Sequence, residues 1–177
     1  MIILITGASH TGKTLLAQRM LEQYHYPYLS IDHLKMGLIR SRYTALTPMD
    51  DEALTDYLWP IVREIVKTAI ENRQNLIVEG CYIPFDWRRA FGEEYLLSIR
   101  FYCLAMTENY IDTHFGAILG HASDVEYRLD DADCTIDTLK ADNKYYIDGF
   151  RRAGERVVLI DGDFEQTIRS ILQKGKR

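Results

Sequence analysis

The sequence predicts an α/β protein in which helices cover both faces of a five-stranded parallel sheet. Five short apolar segments alternate with helical patterns along the chain, which is typical of strands joined by crossover helices. The length of 177 residues, with 47% hydrophobic and 27% charged side chains, is that of an ordinary globular domain with its own core. We therefore expect a single domain over residues 1–177.

The first predicted unit is a strand, a glycine-containing loop and a helix. Residues 2–5 are uninterrupted aliphatic side chains, as in a strand buried on both faces. Gly7 ends this run, and apolar residues then recur at helical spacing over residues 13–24. A second strand is expected over residues 26–31.

The next helix is expected to begin at Thr47, as the N-cap, with Pro48 as its first residue and an acidic first turn. Pro60 is expected to split it, with a second half over residues 61–72. Three more strands are predicted over residues 76–78, 97–105 and 157–160. Helices are predicted over residues 86–95 and 136–153, the latter ended by Gly154, and after Asp163, which has Gln166 three residues on as in a capping box.

Composition and charge exclude several classes of partner. Lys and Arg total 21 against 26 Asp and Glu, a formal net charge of −5, and no basic run suggests nucleic acid or an anionic membrane as partner. No apolar stretch is long enough for a transmembrane helix or a signal peptide. The three cysteines lack zinc or redox spacing. We expect a cytoplasmic protein, monomeric or homodimeric.

A phosphate-binding pattern lies between the first strand and the first helix. Its spacing is glycine, four residues, then Gly-Lys-Thr. Such a loop turns its backbone N–H groups and the positive helix end toward phosphate oxygens, while the lysine adds a cation and the threonine can ligate Mg²⁺. The candidate nucleotide-binding residues are Gly7, Ala8, Ser9, His10, Thr11, Gly12, Lys13 and Thr14.

Two carboxylates are expected at the same edge of the sheet. Glu79 ends the third strand, where it can hold the metal; the alternative is an exposed acid at a strand end. Asp32 follows the second strand, where it can orient an acceptor hydroxyl and take its proton. Its alternative role is the N-cap of a helix starting near His33.

Several basic residues are candidates for stabilising transferred charge or binding the acceptor. Arg128 is the first choice for catalysis, because it lies in residues 116–134, which show no clear period and suit a mobile flap. Arg151 and Arg152 are candidates for nucleotide contacts, with a helix-dipole interaction as the alternative. Lys35 and Arg40 are candidates for holding an acceptor, with solvated helix positions as the alternative.

These residues together resemble the P-loop kinases of small molecules, a group that contains adenylate kinase, shikimate kinase, chloramphenicol phosphotransferase, zeta-toxin-like kinases and 2-phosphoglycerate kinase-like proteins. The resemblance is carried by the loop, Asp32, Glu79-Gly80 and Arg128, over most of the chain. It implies ATP and Mg²⁺ as cofactors and strand order 2-3-1-4-5. It also implies an acceptor-binding helical region at about 33–72 and a lid at about 112–135. Cys81-Tyr82-Ile83-Pro84 stands where adenylate kinases carry Phe-Pro-Arg, which argues against AMP as acceptor.

The leading functional hypothesis is transfer of the γ-phosphoryl group of ATP to a small molecule: a hydroxylated metabolite, a nucleoside or nucleotide, or a phosphorylated acid. One alternative is an NTP-binding regulatory or switch domain, although Asn143-Lys144 is followed by Tyr145-Tyr146 and so lacks the GTPase guanine motif. Another is a zeta-toxin-like kinase that acts on an activated sugar.

Overall fold

The computed structural model describes residues 1–120 and 134–174. Within them, five strands form one parallel sheet in the order β2-β3-β1-β4-β5. This confirms the predicted fold class and strand order. The strands are β1 (Ile2–Gly7), β2 (Tyr28–Ser30), β3 (Leu76–Glu79), β4 (Ile99–Met106) and β5 (Val157–Ile160).

Helices pack on both faces of this sheet. The predicted helix over residues 86–95 is instead a 3₁₀ turn, Trp87–Ala90, followed by the single-turn helix α4. The α-helices are α1 (Lys13–Tyr24), α2 (Ile31–Arg40), α3 (Asp51–Glu71), α4 (Glu93–Leu96), α5 (Glu108–Gly120), α6 (Ile136–Arg152) and α7 (Phe164–Lys174).

Alternation along β1 divides the core into two layers. Ile2 and Leu4 pack in a cluster with side chains of α3 and α6, while Ile3 and Ile5 pack with α1 and α7. All four are at most 1% exposed, as expected for a central strand covered on both sides. The aliphatic run therefore stabilises both layers at once.

The start and continuity of α3 differ from the prediction. Asp50, not Thr47, precedes the helix, and its carboxylate accepts hydrogen bonds from the Thr47 N–H and hydroxyl. The helix also continues through Pro60. The carbonyl that loses its partner there belongs to Asp56, and both residues are exposed, so water can satisfy it while the buried apolar stripe holds the helix together.

Two further boundaries bear on the site. The strand β2 is shorter than predicted and α2 begins at Ile31, so Asp32 lies in the first helical turn rather than at the N-cap, which is Ser30. The first part of the predicted flap, up to Gly120, belongs to α5. Residues 121–133, which include Arg128, lie outside the described residues.

The far end of the chain follows the sequence patterns closely. Gly154 has a left-handed φ of +81° just after α6, and the Asp163 carboxylate accepts the Gln166 N–H at 3.0 Å at the start of α7. No helix within the described residues is long and apolar enough to span a bilayer.

Candidate active site

The phosphate-binding loop leaves β1 through a glycine whose backbone allows no side chain. Gly7 has φ +134°, and a Cβ there would lie 1.9 Å from the Leu104 carbonyl oxygen on the neighbouring strand β4. Gly12, with φ +77°, lies just before α1, where a Cβ would meet the Phe164 ring at 2.6 Å. Both glycines are required by conformation and by close approach of neighbouring groups.

The loop interior is organised around the Ala8 carbonyl. It accepts hydrogen bonds from the Lys13 ammonium at 2.7 Å and the Thr11 hydroxyl at 2.8 Å. The Lys13 side chain lies inside the loop and the residue is 7% exposed. Since α1 begins at Lys13, this charge lies at the positive end of the helix dipole. The arrangement concentrates positive potential where phosphate oxygens would enter.

A hydroxyl and a carboxylate face each other beside the loop. The Thr14 Oγ1 lies 3.4 Å from the Glu79 Oε1, and Glu79 is 1% exposed. Parallel register brings them together, because Ile5 of β1 pairs with Glu79 at the end of β3. Two oxygen donors plus phosphate oxygens and water fit Mg²⁺, which is commonly held by few protein ligands. The described residues contain no group of three or more His, Cys, Asp or Glu side chains arranged to hold a metal.

Asp32 belongs to a chain of polar contacts on the β2 side of Glu79. The Lys35 ammonium donates to the Asp32 carboxylate at 2.6 Å and to the Tyr82 hydroxyl at 2.9 Å. Tyr82 in turn donates to the Asp51 carboxylate at 3.1 Å. Burial of the Lys35 side chain disfavours its charge, but the hydrogen bonds with Asp32 and Tyr82 outweigh this and raise the Lys35 pKa. The ammonium therefore stays charged at neutral pH.

The structure also brings to the loop a carboxylate that sequence reasoning missed. Asp142, in α6, accepts a hydrogen bond from the Ser9 backbone N–H at 2.7 Å. The adjacent Asn143 anchors the helix, because its carboxamide oxygen accepts the Met106 N–H at 2.6 Å. No local pattern distinguishes Asp142 from the other polar residues of α6, since only the packing of α6 against β4 places it there.

Charges from four elements meet at Cys81, just after β3. Burial raises the pKa of its thiol; Lys13 opposes this effect, while Asp32, Glu79 and Asp142 reinforce it. The Cys81 thiol is therefore protonated and not a nucleophile at neutral pH. The charges of the loop lysine and of the three carboxylates therefore all act on this one thiol.

The remaining predicted site residues do not all reach this place. Lys35 lies within it, but Arg40 is exposed at the other end of α2, about 12 Å along the helix from Asp32. Arg151 and Arg152 are exposed at the C-terminal end of α6, about 14 Å along the helix from Asp142. α6 carries both arginines toward the start of β5, and their contact with the nucleotide stays a prediction.

Comparison with solved structures identifies the fold. A gluconokinase from Sinorhizobium meliloti 1021 matches with a TM-score of 0.54 and 16% identity, over 97% of this chain and 89% of its own. A shikimate kinase from Aquifex aeolicus matches with a TM-score of 0.51 and 14% identity, over 99% of this chain and 96% of its own. A deoxyadenosine kinase from M. mycoides matches with a TM-score of 0.58 and 14% identity, over 99% of both chains.

The chain has the fold of the P-loop small-molecule kinases. No protein-family model matches its sequence, and no curated protein matches it either. At these identities the likeness concerns the fold, and the function of this chain has to be inferred from its own side chains.

Proposed function

We propose that the chain is an ATP-dependent kinase that transfers the γ-phosphoryl group to a hydroxyl of a small-molecule acceptor. The observation that carries this is the placement of Asp32 and Glu79 beside the loop. Ser30 and Glu79 are register partners at the ends of β2 and β3, and Asp32 follows Ser30 by two residues. The residues that would bind phosphate, hold the metal and orient the acceptor thus follow the ends of three neighbouring strands, which supports this proposal.

The loop residues would bind the triphosphate. The loop backbone after Ser9 and the N-terminus of α1 would supply positive potential, and the Lys13 ammonium would exchange its bond with Ala8 for phosphate oxygens. Thr14 and Glu79 would hold Mg²⁺, which when bound neutralises charge on the phosphates. The Glu79 carboxylate already lies beside the Thr14 hydroxyl, with 3.4 Å between their oxygens.

Transfer would proceed by attack of an acceptor hydroxyl oxygen on the γ-phosphorus. The new oxygen–phosphorus bond forms while the bond between the γ-phosphorus and the bridging oxygen breaks, and ADP leaves. Asp32 would orient the hydroxyl and take its proton late in the reaction. The Lys35 ammonium lies 2.6 Å from that carboxylate and holds it in position.

Two predictions about neighbouring segments remain part of this proposal. The helical region at about 33–72 would bind the acceptor, in agreement with the positions of Lys35 and Asp51 beside Asp32. Residues 112–135 would act as the lid that brings Arg128 to the transferring group.

The test combines nucleotide binding with acceptor-dependent ADP release. Lys13→Ala should weaken Mg-ATP binding at least tenfold, about 1.4 kcal/mol, by calorimetry. Lys144→Ala is the matched control, because that lysine is 68% exposed on α6 and pairs with Asp148. Asp32→Asn should retain Mg-ATP binding but lose about a hundredfold or more of acceptor-dependent ADP release. Mg-ATP binding with no stimulation by any acceptor in a broad screen would instead favour an NTP-binding switch.

A further inference from the structure

The side of the site next to Asp32 has a charge pattern that bears on the acceptor. We call Asp32, Lys35, Asp51 and Tyr82 the acceptor face. These side chains come from the first two turns of α2, the first residue of α3 and the segment after β3. Their linked hydrogen bonds form one continuous polar surface beside the loop.

The single ammonium group of the acceptor face is already engaged. Lys35 bonds to Asp32 and Tyr82, lies 4.9 Å from the centre of the Tyr82 ring, and has a side chain only 13% exposed. Asp51 bonds to the other side of the Tyr82 hydroxyl at 3.1 Å. Two carboxylates against one ammonium leave this surface with a net negative charge.

The elements that build the acceptor face bring no second cation close to it. In α2 the next Lys or Arg after Lys35 is Arg40, about 12 Å along the helix from Asp32. In α3 the first is Arg63, about 18 Å along the helix from Asp51, and it pairs with Glu64. Residues 80–86 contain no Lys or Arg. A carboxylate or phosphate on the acceptor would therefore face negative charge and lose its hydration.

Hydroxyl groups suit the same surface. They can donate to the Asp32 and Asp51 carboxylates, and they can accept from the third N–H of Lys35, which has three donors and uses two within the face. We infer that the acceptor is an uncharged polyhydroxylated molecule, and that its carboxylated or phosphorylated counterparts are discriminated against. This inference rests on the proposed kinase activity and narrows it.

Matched pairs of acceptors test the inference. The full chain is assayed for ADP release with Mg-ATP and sugars against their aldonic acids, and nucleosides against their 5′-monophosphates. We expect the best acceptor to be a neutral member, with kcat/KM at least tenfold above that of its anionic partner. Equal values, or a preference for the anionic partner, would overturn the inference while leaving the kinase proposal intact. Mg-ATP binding without stimulation by any member would overturn both.

Charge variants separate electrostatics from shape. Asp51→Asn should lower the inhibition constant of the anionic partner, measured against the neutral acceptor, by about threefold. Glu52→Gln is the matched control, because Glu52 is the exposed neighbour on α3 and should change that constant by less than the error of the assay. An Asp51→Asn enzyme with unchanged discrimination would remove charge from the explanation of specificity.

Discussion

Asp142 offers the sharpest test of the site as the structure builds it. Its carboxylate accepts the Ser9 N–H at 2.7 Å, within the phosphate-binding loop. Asp142→Asn keeps the shape of the side chain and an oxygen that can accept this hydrogen bond, but it removes a negative charge from the rim of the proposed triphosphate site. Stability and nucleotide affinity should therefore change in opposite directions.

The expected magnitudes follow from elementary electrostatics. A hydrogen bond to a charged group contributes about 1.5–3 kcal/mol and one to a neutral group about 0.5–1.5, so the variant should lose about 1 kcal/mol of unfolding free energy. At roughly 8 Å in water, one carboxylate repels each net charge of the nucleotide by about 0.5 kcal/mol. Mg-ATP, with about two net negative charges, should therefore bind about fivefold tighter, and metal-free ATP, with about four, about thirtyfold tighter.

The assay is titration calorimetry of both nucleotide forms at low and at high ionic strength, alongside urea unfolding. The gain in affinity should shrink with added salt, because salt screens charges at this separation. Asp148→Asn is the control, since Asp148 lies on the same helix, six residues further on, pairs with Lys144 and is 48% exposed. Weaker nucleotide binding in Asp142→Asn, or a gain that Asp148→Asn reproduces, would refute this account of the loop.

The remaining predictions concern stability. Gly7→Ala should destabilise the fold by more than about 3 kcal/mol in urea unfolding, since its Cβ would collide with backbone; Gly37→Ala, in open space on α2, should stabilise it by about 0.5–1 kcal/mol. Burial, opposed by the nearby Lys35, raises the pKa of Tyr82 to about 12. The protonated phenol therefore contributes its full stability below pH 10, and this contribution is lost between pH 10 and 12. In thermal melts over that range, Tyr82→Phe should lose less stability than the unsubstituted protein. The hydrogen bond from Arg19 lowers the pKa of Glu165. The pair therefore stabilises the fold fully above pH 4.5, and less at lower pH as the Glu165 carboxylate becomes protonated. In urea unfolding, Glu165→Gln should cost at most about 1 kcal/mol at pH 7 and little at pH 3.

The sequence alone predicted an element correctly where a single segment contains the whole pattern that defines that element. The loop, β1 and the start of α1 were predicted correctly because glycine spacing and an aliphatic run define them locally. The position of Glu79 followed from parallel strand ends meeting at one edge of the sheet. The prediction that Pro60 splits the helix was wrong, because packing of the apolar stripe of α3 against the core outweighs the local effect of the proline.

Asp142 and Arg40 could not be placed from the sequence for the same physical reason. A helix puts neighbouring residues on different faces, and its packing angle decides which end of it approaches the loop. In α6 the contact of Asn143 with β4 fixes Asp142 beside Ser9. In α2 the helix begins at Ile31, so it places Lys35 at the site and takes Arg40 away from it.

The distribution of charge along the sheet edge separates the two proposed substrates. On the loop side, Lys13 and the N-terminus of α1 supply positive potential to the triphosphate. On the acceptor face, Asp32 and Asp51 outweigh Lys35. On the proposed function, an anion would therefore be drawn to the loop and repelled from the acceptor face, and a second nucleotide would be disfavoured at the acceptor position. The same charge distribution would not repel a neutral acceptor whose hydroxyl contacts Asp32.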